Sequence, residues 1–256
     1  DMEKAQEVLR QKGMASADKK MGRIAAEGLI ASYVDDSCGA MIELNCETDF
    51  VAKNADFKEL ANMLAEGVAK GNPSNVDAFL ASTCPKCGKM VSDIIKEKIA
   101  SIGEKITFRR FVRIEGSTAS YVHNGKIGVL LETDKKDDEL MKDICLHITS
   151  SAPQFISRAD VPQSVVDEET RIEMGKEDLQ KKPEQIRAKI VEGRVSKLMA
   201  QRCLLEQPFV KNPDITVGQL IENKLNVKSF TRFVLGEGLE KRQDNFAEEV
   251  MNQIKG

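Results

Sequence analysis

Few stretches of this chain hold side chains able to do chemistry. CPKCG, residues 84–88, brings the thiols of Cys84 and Cys87 within one turn, the spacing of half a zinc ribbon or of a thiol redox pair. Structural zinc takes four ligands, and no second C-x-x-C or H-x-x-x-H accompanies this one. His123, His147 and Cys46 are scattered at spacings that recruit none of them. One reading is therefore a zinc-binding or thiol-redox protein centred on Cys84 and Cys87. A metal site completed by a second copy of the chain, and hence a homodimer, is its variant. The plain reading is an inter-helix loop with two exposed thiols. The other cysteines, Cys38, Cys46, Cys145 and Cys203, sit singly in mixed surroundings and read as small core residues. Phosphate-loop, nucleophile-elbow and H-E-x-x-H motifs are all missing, and the acidic clusters fall on solvated helical faces. The sequence does not read as an enzyme.

NCETDFVAKNADF, residues 45–57, raises a different question. It follows a short apolar run and leads into an amphipathic segment. Asp49 and Phe50 thus fall at a strand-to-helix junction, where small polar residues are usual. A large aromatic placed there is either a half-buried core residue or a contact for another protein. The chain supplies its own comparison, because ETD recurs in ETDKKDDE with Lys135 where Phe50 stood. Had Phe50 only packed a shared fold, the second copy would need an apolar residue as well.

The elements that must carry these residues come twice. ASYV occurs at 31–34 and at 119–122, and FRRFVRIEG at 108–116 lines up with FTRFVLGEG at 230–238. The order suggests a duplicated unit, 31–116 and 119–238. Each copy reads as a β-hairpin with a Gly-containing turn, then a helix with Phe57, Leu60, Met63, Leu64 and Val68, or Leu140, Ile144 and Ile148, on one face. A further helix and a closing strand complete it. The alignment makes Phe108 and Phe230 equivalent, likewise Phe111 and Phe233. It also calls for a bulge, or one ring on each side of the sheet, alike in both copies. Arg110 and Arg232 should then lie beside those rings. The expected class is α+β: two related subdomains of antiparallel sheet with helices on one face, plus an inserted antiparallel helical hairpin.

That hairpin occupies about 164–206, reverses at GKEDLQKKP, and should be seamed by Val166, Ile172, Ile186, Ile190 and Leu198. The expected division is 1–23 for a last helix of a truncated helical domain with a basic linker, 24–116 and 117–238 for the two subdomains, and 239–256 for a C-terminal helical module. Asp1–Gln11 reads as a helix too small to fold alone. With Asp1 in place of an initiator Met, it suggests that something upstream was removed.

Composition narrows the partners. The chain has 256 residues and a net charge of −3 with interspersed signs, no Trp and two Tyr. That argues against direct nucleic-acid binding, which wants a basic excess or stacking platforms. No apolar run approaches the roughly 20 residues that span a bilayer, and no secretory signal is evident. A protein surface is the expected partner, in cytosol or an organelle matrix.

NCETDFVAKN, followed by IVEGR, EQPFV, TVGQLI, RFVLGEG and FAEEV, resembles the translation elongation factor Ts family over nearly the whole chain. The resemblance implies guanine-nucleotide exchange on the GTPase elongation factor Tu in the bacterial cytoplasm or an organelle, with no cofactor of its own. It also implies that Thr48, Asp49, Phe50 and Val51 enter the GTPase and displace its Mg²⁺. Further contacts fall on Ile127, Gly128 and His147. The same resemblance identifies the insertion with the family's coiled-coil arm and 244–255 with its C-terminal helix.

Overall fold

A computed structural model of the chain describes residues 19, 20 and 22–240; the helices expected at 1–11 and 244–255 lie outside the described residues. β1 (Glu27–Val34), β2 (Cys38–Cys46) and β3 (Ile106–Glu115) form an antiparallel sheet with β2 central. The β1–β2 turn closes on Asp35, whose carboxylate accepts from the amides of Ser37 and Cys38 at 2.8 and 3.0 Å. Between β2 and β3 run α1 (Asp49–Lys53), α2 (Ala55–Gly71), α3 (Val76–Leu80) and α4 (Val91–Ile102). The helices cover one face of the sheet through Phe57, Leu60, Leu64, Val68 and Ile99. α2 starts where the Asn54 side chain accepts from the Asp56 amide, and ends on Asn72 in the left-handed region.

β4 (Thr118–His123), β5 (Ile127–Thr133) and β8 (Val227–Val234) form a second antiparallel sheet with β5 central. α5 (Asp138–Ser151) covers its outer face with Leu140, Ile144 and Ile148, as the spacing predicts. A two-strand ribbon of β6 (Pro208–Phe209) and β7 (Asn212–Thr216), and the one-turn α9 (Val217–Ile221), fill in beside it. The two sheets face each other. Ile30 and Met41 from the first meet Leu130, Phe233 and Leu235 from the second, leaving helices on the outside. β2 is therefore buried along its whole length, Glu43 and Asn45 included. The class is α+β, as the sequence indicates.

The two ladders repeat pair for pair. Tyr33 lies opposite Ala40 and Tyr121 opposite Val129; the next pairs are Ser32–Met41 and Ser120–Leu130. Each closing strand carries a bulge at the same place, with Arg109 and Lys228 as the extra residues opposite the Glu43/Leu44 and Glu132/Thr133 steps of the central strands. The closing strands, however, are offset by three residues from the F-x-R-F alignment. Ile42 faces Phe111 while Leu131 faces Phe230, so Phe111 matches Phe230 and Arg113 matches Arg232. The phenylalanines consequently behave differently in the two copies. The bulge puts Phe108 and Phe111 on one face, ring centroids 6.1 Å apart, whereas Phe230 and Phe233 pack into different cores. The true counterparts do the same work. Arg113 donates to the Ala69 carbonyl at 2.8 Å and Arg232 to that of Thr149 at 3.3 Å. Each arginine thus satisfies a carbonyl in the last turn of the helix covering its sheet. Arg110 does lie against a ring, 4.2 Å from the centroid of Phe233, but that ring belongs to the other sheet.

The insertion is an antiparallel hairpin of α6 (Gln163–Met174) and α8 (Glu184–Arg202) with the short α7 (Glu177–Gln180) at the reversal. Its seam differs from the expected one. Val191, Val195 and Met199 with Leu179 form the buried core, and Val166, Ile190 and Leu198 are half-buried around it. Ile172 and Ile186 are 49% and 51% exposed. A straight helix drifts about 20° per heptad from a 3.5-residue seam, and the two isoleucines fall off it near the tip.

Candidate functional site

The TDFV segment is a one-turn helix, not a loop. Thr48 is its N-cap, in extended conformation, and its hydroxyl accepts from the Val51 amide at 3.4 Å. Asn54 ends this helix and caps the next. Ala52 is buried and Val51 half-buried against the first core, so the inner side of the turn is anchored. Phe50 points the other way and is 81% exposed. A core role for Phe50 is excluded by that exposure. Asp49 pairs with Lys53 at 2.6 Å on the helix surface; this hydrogen bond from Lys53 holds its carboxyl below the usual range.

The turn is fixed from below by a residue the sequence did not flag. Glu104 follows Gly103, which ends α4 in the left-handed region at φ 90. Its carboxylate accepts from the amides of Glu47 and Thr48 at 3.1 and 3.0 Å and from the Thr48 hydroxyl at 2.6 Å. Glu47 returns the bond, accepting from the Lys105 amide at 2.7 Å, and meets Arg23 at 3.3 Å. Each carboxylate holds a backbone amide of the other's segment, Glu47 and Lys105 being 58 residues apart. Only the spatial pairing reveals this; an acidic residue after a helix-ending glycine carries no signal by itself.

The second copy of the ETD turn is built otherwise. Thr133 is buried, and its hydroxyl donates to the Lys135 carbonyl at 2.7 Å. The Asp134 carboxylate binds the Asn226 amide at 2.6 Å and side chain at 2.8 Å. No helix intervenes before Asp137 caps α5. Lys135 thus occupies a plain turn where Phe50 rides on a helix.

The remaining expected contact residues lie on the second sheet and on the helix that covers it. Ile127 opens β5 half-buried, paired with His123 and Val234. Gly128 is buried at the sheet–sheet seam; a Cβ there would lie 2.5 Å from Ile30 Cγ2 and 2.6 Å from Met41 Sδ. Its glycine serves close packing. His147 is fully buried, with Nε2 2.8 Å from Gln207 Oε1 and Nδ1 accepting from the Val210 amide at 3.2 Å. Burial lowers its pKa, and the Gln207 bond offsets this only in part. The ring is thus a satisfied internal group that holds the Phe209–Val210 segment, whose Val210 side chain is exposed.

Cys38, Cys46, Cys145 and Cys203 are buried, as read. Of the CPKC pair only Cys87 is exposed; Cys84 is turned into the first core. Among the described residues no group of three or more His, Cys, Asp or Glu side chains could hold a metal ion. No helix among them is long and apolar enough to cross a membrane.

Comparison with known proteins converges on one family. The family model described as Elongation factor TS matches residues 47–237. Elongation factor Ts of Thioalkalivibrio sulfidiphilus (strain HL-EbGR7) is 45% identical, over 100% of this chain and 89% of its own length. That of Chromobacterium violaceum is 45% identical over 100% and 88%. With a family match from the ETD turn to the end of the second sheet and identity at this level throughout, the chain belongs to the elongation factor Ts family.

Proposed function

We propose that this chain promotes guanine-nucleotide exchange on elongation factor Tu by presenting Phe50 as a wedge on a clamped one-turn helix. Exchange on that GTPase is the role that comes with the family; the wedge is the finer reading. The observation that carries it is the contrast at one turn, an 81%-exposed Phe50 above the buried Ala52 and half-buried Val51. A large apolar side chain held in water by a pre-formed scaffold loses little further freedom on docking.

Mg²⁺ in a P-loop GTPase bridges phosphate and switch elements. A wedge that distorts that region removes coordination from the cation, and GDP loses its charge compensation. The wedge shifts the equilibrium only if it binds the nucleotide-poor state more tightly than the GDP state. Thr48 and Val51 set the helix, Phe50 supplies the buried area, and Asp49, tied to Lys53, keeps negative charge on the leading edge. Ile127 and Val210 offer secondary contacts, with Gly128 and His147 acting through the packing they secure.

The test is stopped-flow release of a fluorescent GDP from elongation factor Tu. Phe50→Ala should slow catalysed release at least about tenfold, the equivalent of about 1.4 kcal/mol or more at an interface anchor, with an unchanged thermal midpoint. Equal rates for variant and parent would refute the wedge.

A further inference from the structure

The CPKC loop takes no part in the exchange reading, yet it is tightly built. Thr83 and Met90 bridge antiparallel at its base. The Cys84 amide donates to the Lys89 carbonyl at 2.8 Å, and the Gly88 amide to the Cys84 carbonyl at 2.9 Å, with Gly88 in the left-handed region at φ 69. This turn folds Cys87 back over Cys84. Disulfides need their Cα atoms within roughly 4.4–6.8 Å, a span that a single tight turn between residues three apart supplies.

The two sulfurs have different surroundings. Cys84 lines an apolar cavity of about 250 Å³ with Met63, Leu64, Phe79 and Val91, whereas Cys87 faces solvent. Burial pushes the Cys84 thiol up, but the amides of Cys87 and Lys86, the Cys87 thiol and the Lys86 charge together hold it below its ordinary value. The fully interior thiols behave oppositely, Cys46 and Cys145 each pushed up to about 12 by burial. Two sulfurs are half of what zinc requires and all that a disulfide requires.

We propose that Cys84 and Cys87 form a reversible dithiol–disulfide couple. A hydroperoxide meets the exposed Cys87 first. Its thiolate takes the terminal hydroxyl, the O–O bond breaks, and an alcohol or water leaves, giving the sulfenic acid. The Cys84 thiolate attacks the Cys87 sulfur, the S–S bond forms, and hydroxide leaves as water. Two electrons pass from the thiols to the peroxide. A reducing dithiol reverses this by attacking the exposed Cys87 sulfur and expelling the Cys84 thiolate.

The test equilibrates the purified chain in glutathione buffers from fully reduced to fully oxidised, then quenches with acid and alkylates. Oxidation should remove two of the six alkylatable thiols and lower the unalkylated mass by two hydrogens, with the far-UV circular dichroism unchanged. Trypsin cuts after Lys86 and Lys89, so the oxidised chain should yield peptide 71–86 still joined to 87–89. Dithiothreitol should separate them, and Cys87→Ser should abolish the link. Six alkylatable thiols in fully oxidised buffer would overturn the proposal. So would a link mapped to another cysteine pair or between chains, or a bound metal that protects both thiols and is lost in Cys87→Ser.

Discussion

His147 shows how one residue type can serve contact in one setting and architecture in another. Its ring is buried and accepts a backbone bond, which fixes it as the neutral Nε2–H form. Burial lowers its native pKa, whereas in the unfolded chain it titrates near about 6.5. Below that value the unfolded state takes up a proton that the native state refuses, so stability should fall as pH drops from 7 towards 5. The paired carboxylates Asp35, bound first by Lys70, and Glu43, whose bonds from Gly236, Asn45 and the arginines overcome its burial, are held below their ordinary range. Their contribution is present above that range and is lost only below about pH 4. Urea midpoints at pH 7, 6 and 5 should therefore decline in the parent and flatten in His147→Gln. A parent profile without slope in this window would show that the ring charges in place.

At the scale of elements, α1 depends on a clamp from the far end of α4. Removing Glu104 strands two amides and the Thr48 hydroxyl. Hydrogen bonds to a charged group are worth about 1.5–3 kcal/mol, so Glu104→Ala should cost about 2 kcal/mol in urea unfolding and slow GDP release with it. Lys53→Ala removes only the exposed pair with Asp49 and should change stability by less than about 1 kcal/mol. Equal effects of the two would mean that the clamp does not support the helix. Helix periodicity made α2, α4 and α5 legible in the sequence, because each buries one stripe against a sheet. The clamp was not legible, since Glu47 and Glu104 are ordinary acidic residues until the fold brings them together. The closing strands misled for a related reason. F-x-R-F matched by letter, while the real correspondence, Arg113 with Arg232, is set by which helix end each arginine must reach. In the arm, the hairpin was readable and its seam was not. Val191, Val195 and Met199 form it, the expected Val166, Ile190 and Leu198 only flank it, and Ile172 and Ile186 lie exposed near the tip.

The whole molecule is held by the seam between its sheets. Gly128 and Gly39 let them approach; a Cβ on Gly39 would sit 2.7 Å from Leu130 Cδ1. Gly128→Ala should overpack this seam and cost about 1–3 kcal/mol, read as a lower urea midpoint at constant slope. A midpoint within error of the parent would show that Ile30 and Met41 yield freely. The sheets also meet at Ser32 and Ser120, whose hydroxyls are 2.9 Å apart, and at the Lys126–Glu27 and Lys136–Asp36 pairs. The duplicated plan was legible from the ASYV and F-x-R-F pairs taken together. The face on which the copies join was not, because that face of β2 reads Gly39, Met41, Glu43 and Asn45 and is half polar.

Glu43 has a history that only the order of synthesis brings out. Buried in β2, it binds Arg109 and Arg110 at 2.9 and 2.6 Å, and its fourth partner is the Gly236 amide at 2.8 Å. That amide is made 193 residues later. At ribosomal speeds of roughly 5–20 residues per second, Glu43 waits about 10–40 s for it. Until β8 arrives, the Ile30–Met41 face is covered by Leu130 of the β4–β5 hairpin but lacks Phe233 and Leu235, and Glu43 lacks one of its partners. A pause between β5 and β8 prolongs the exposure, to chaperones and to neighbouring chains, of the part of the seam that Phe233 and Leu235 will cover.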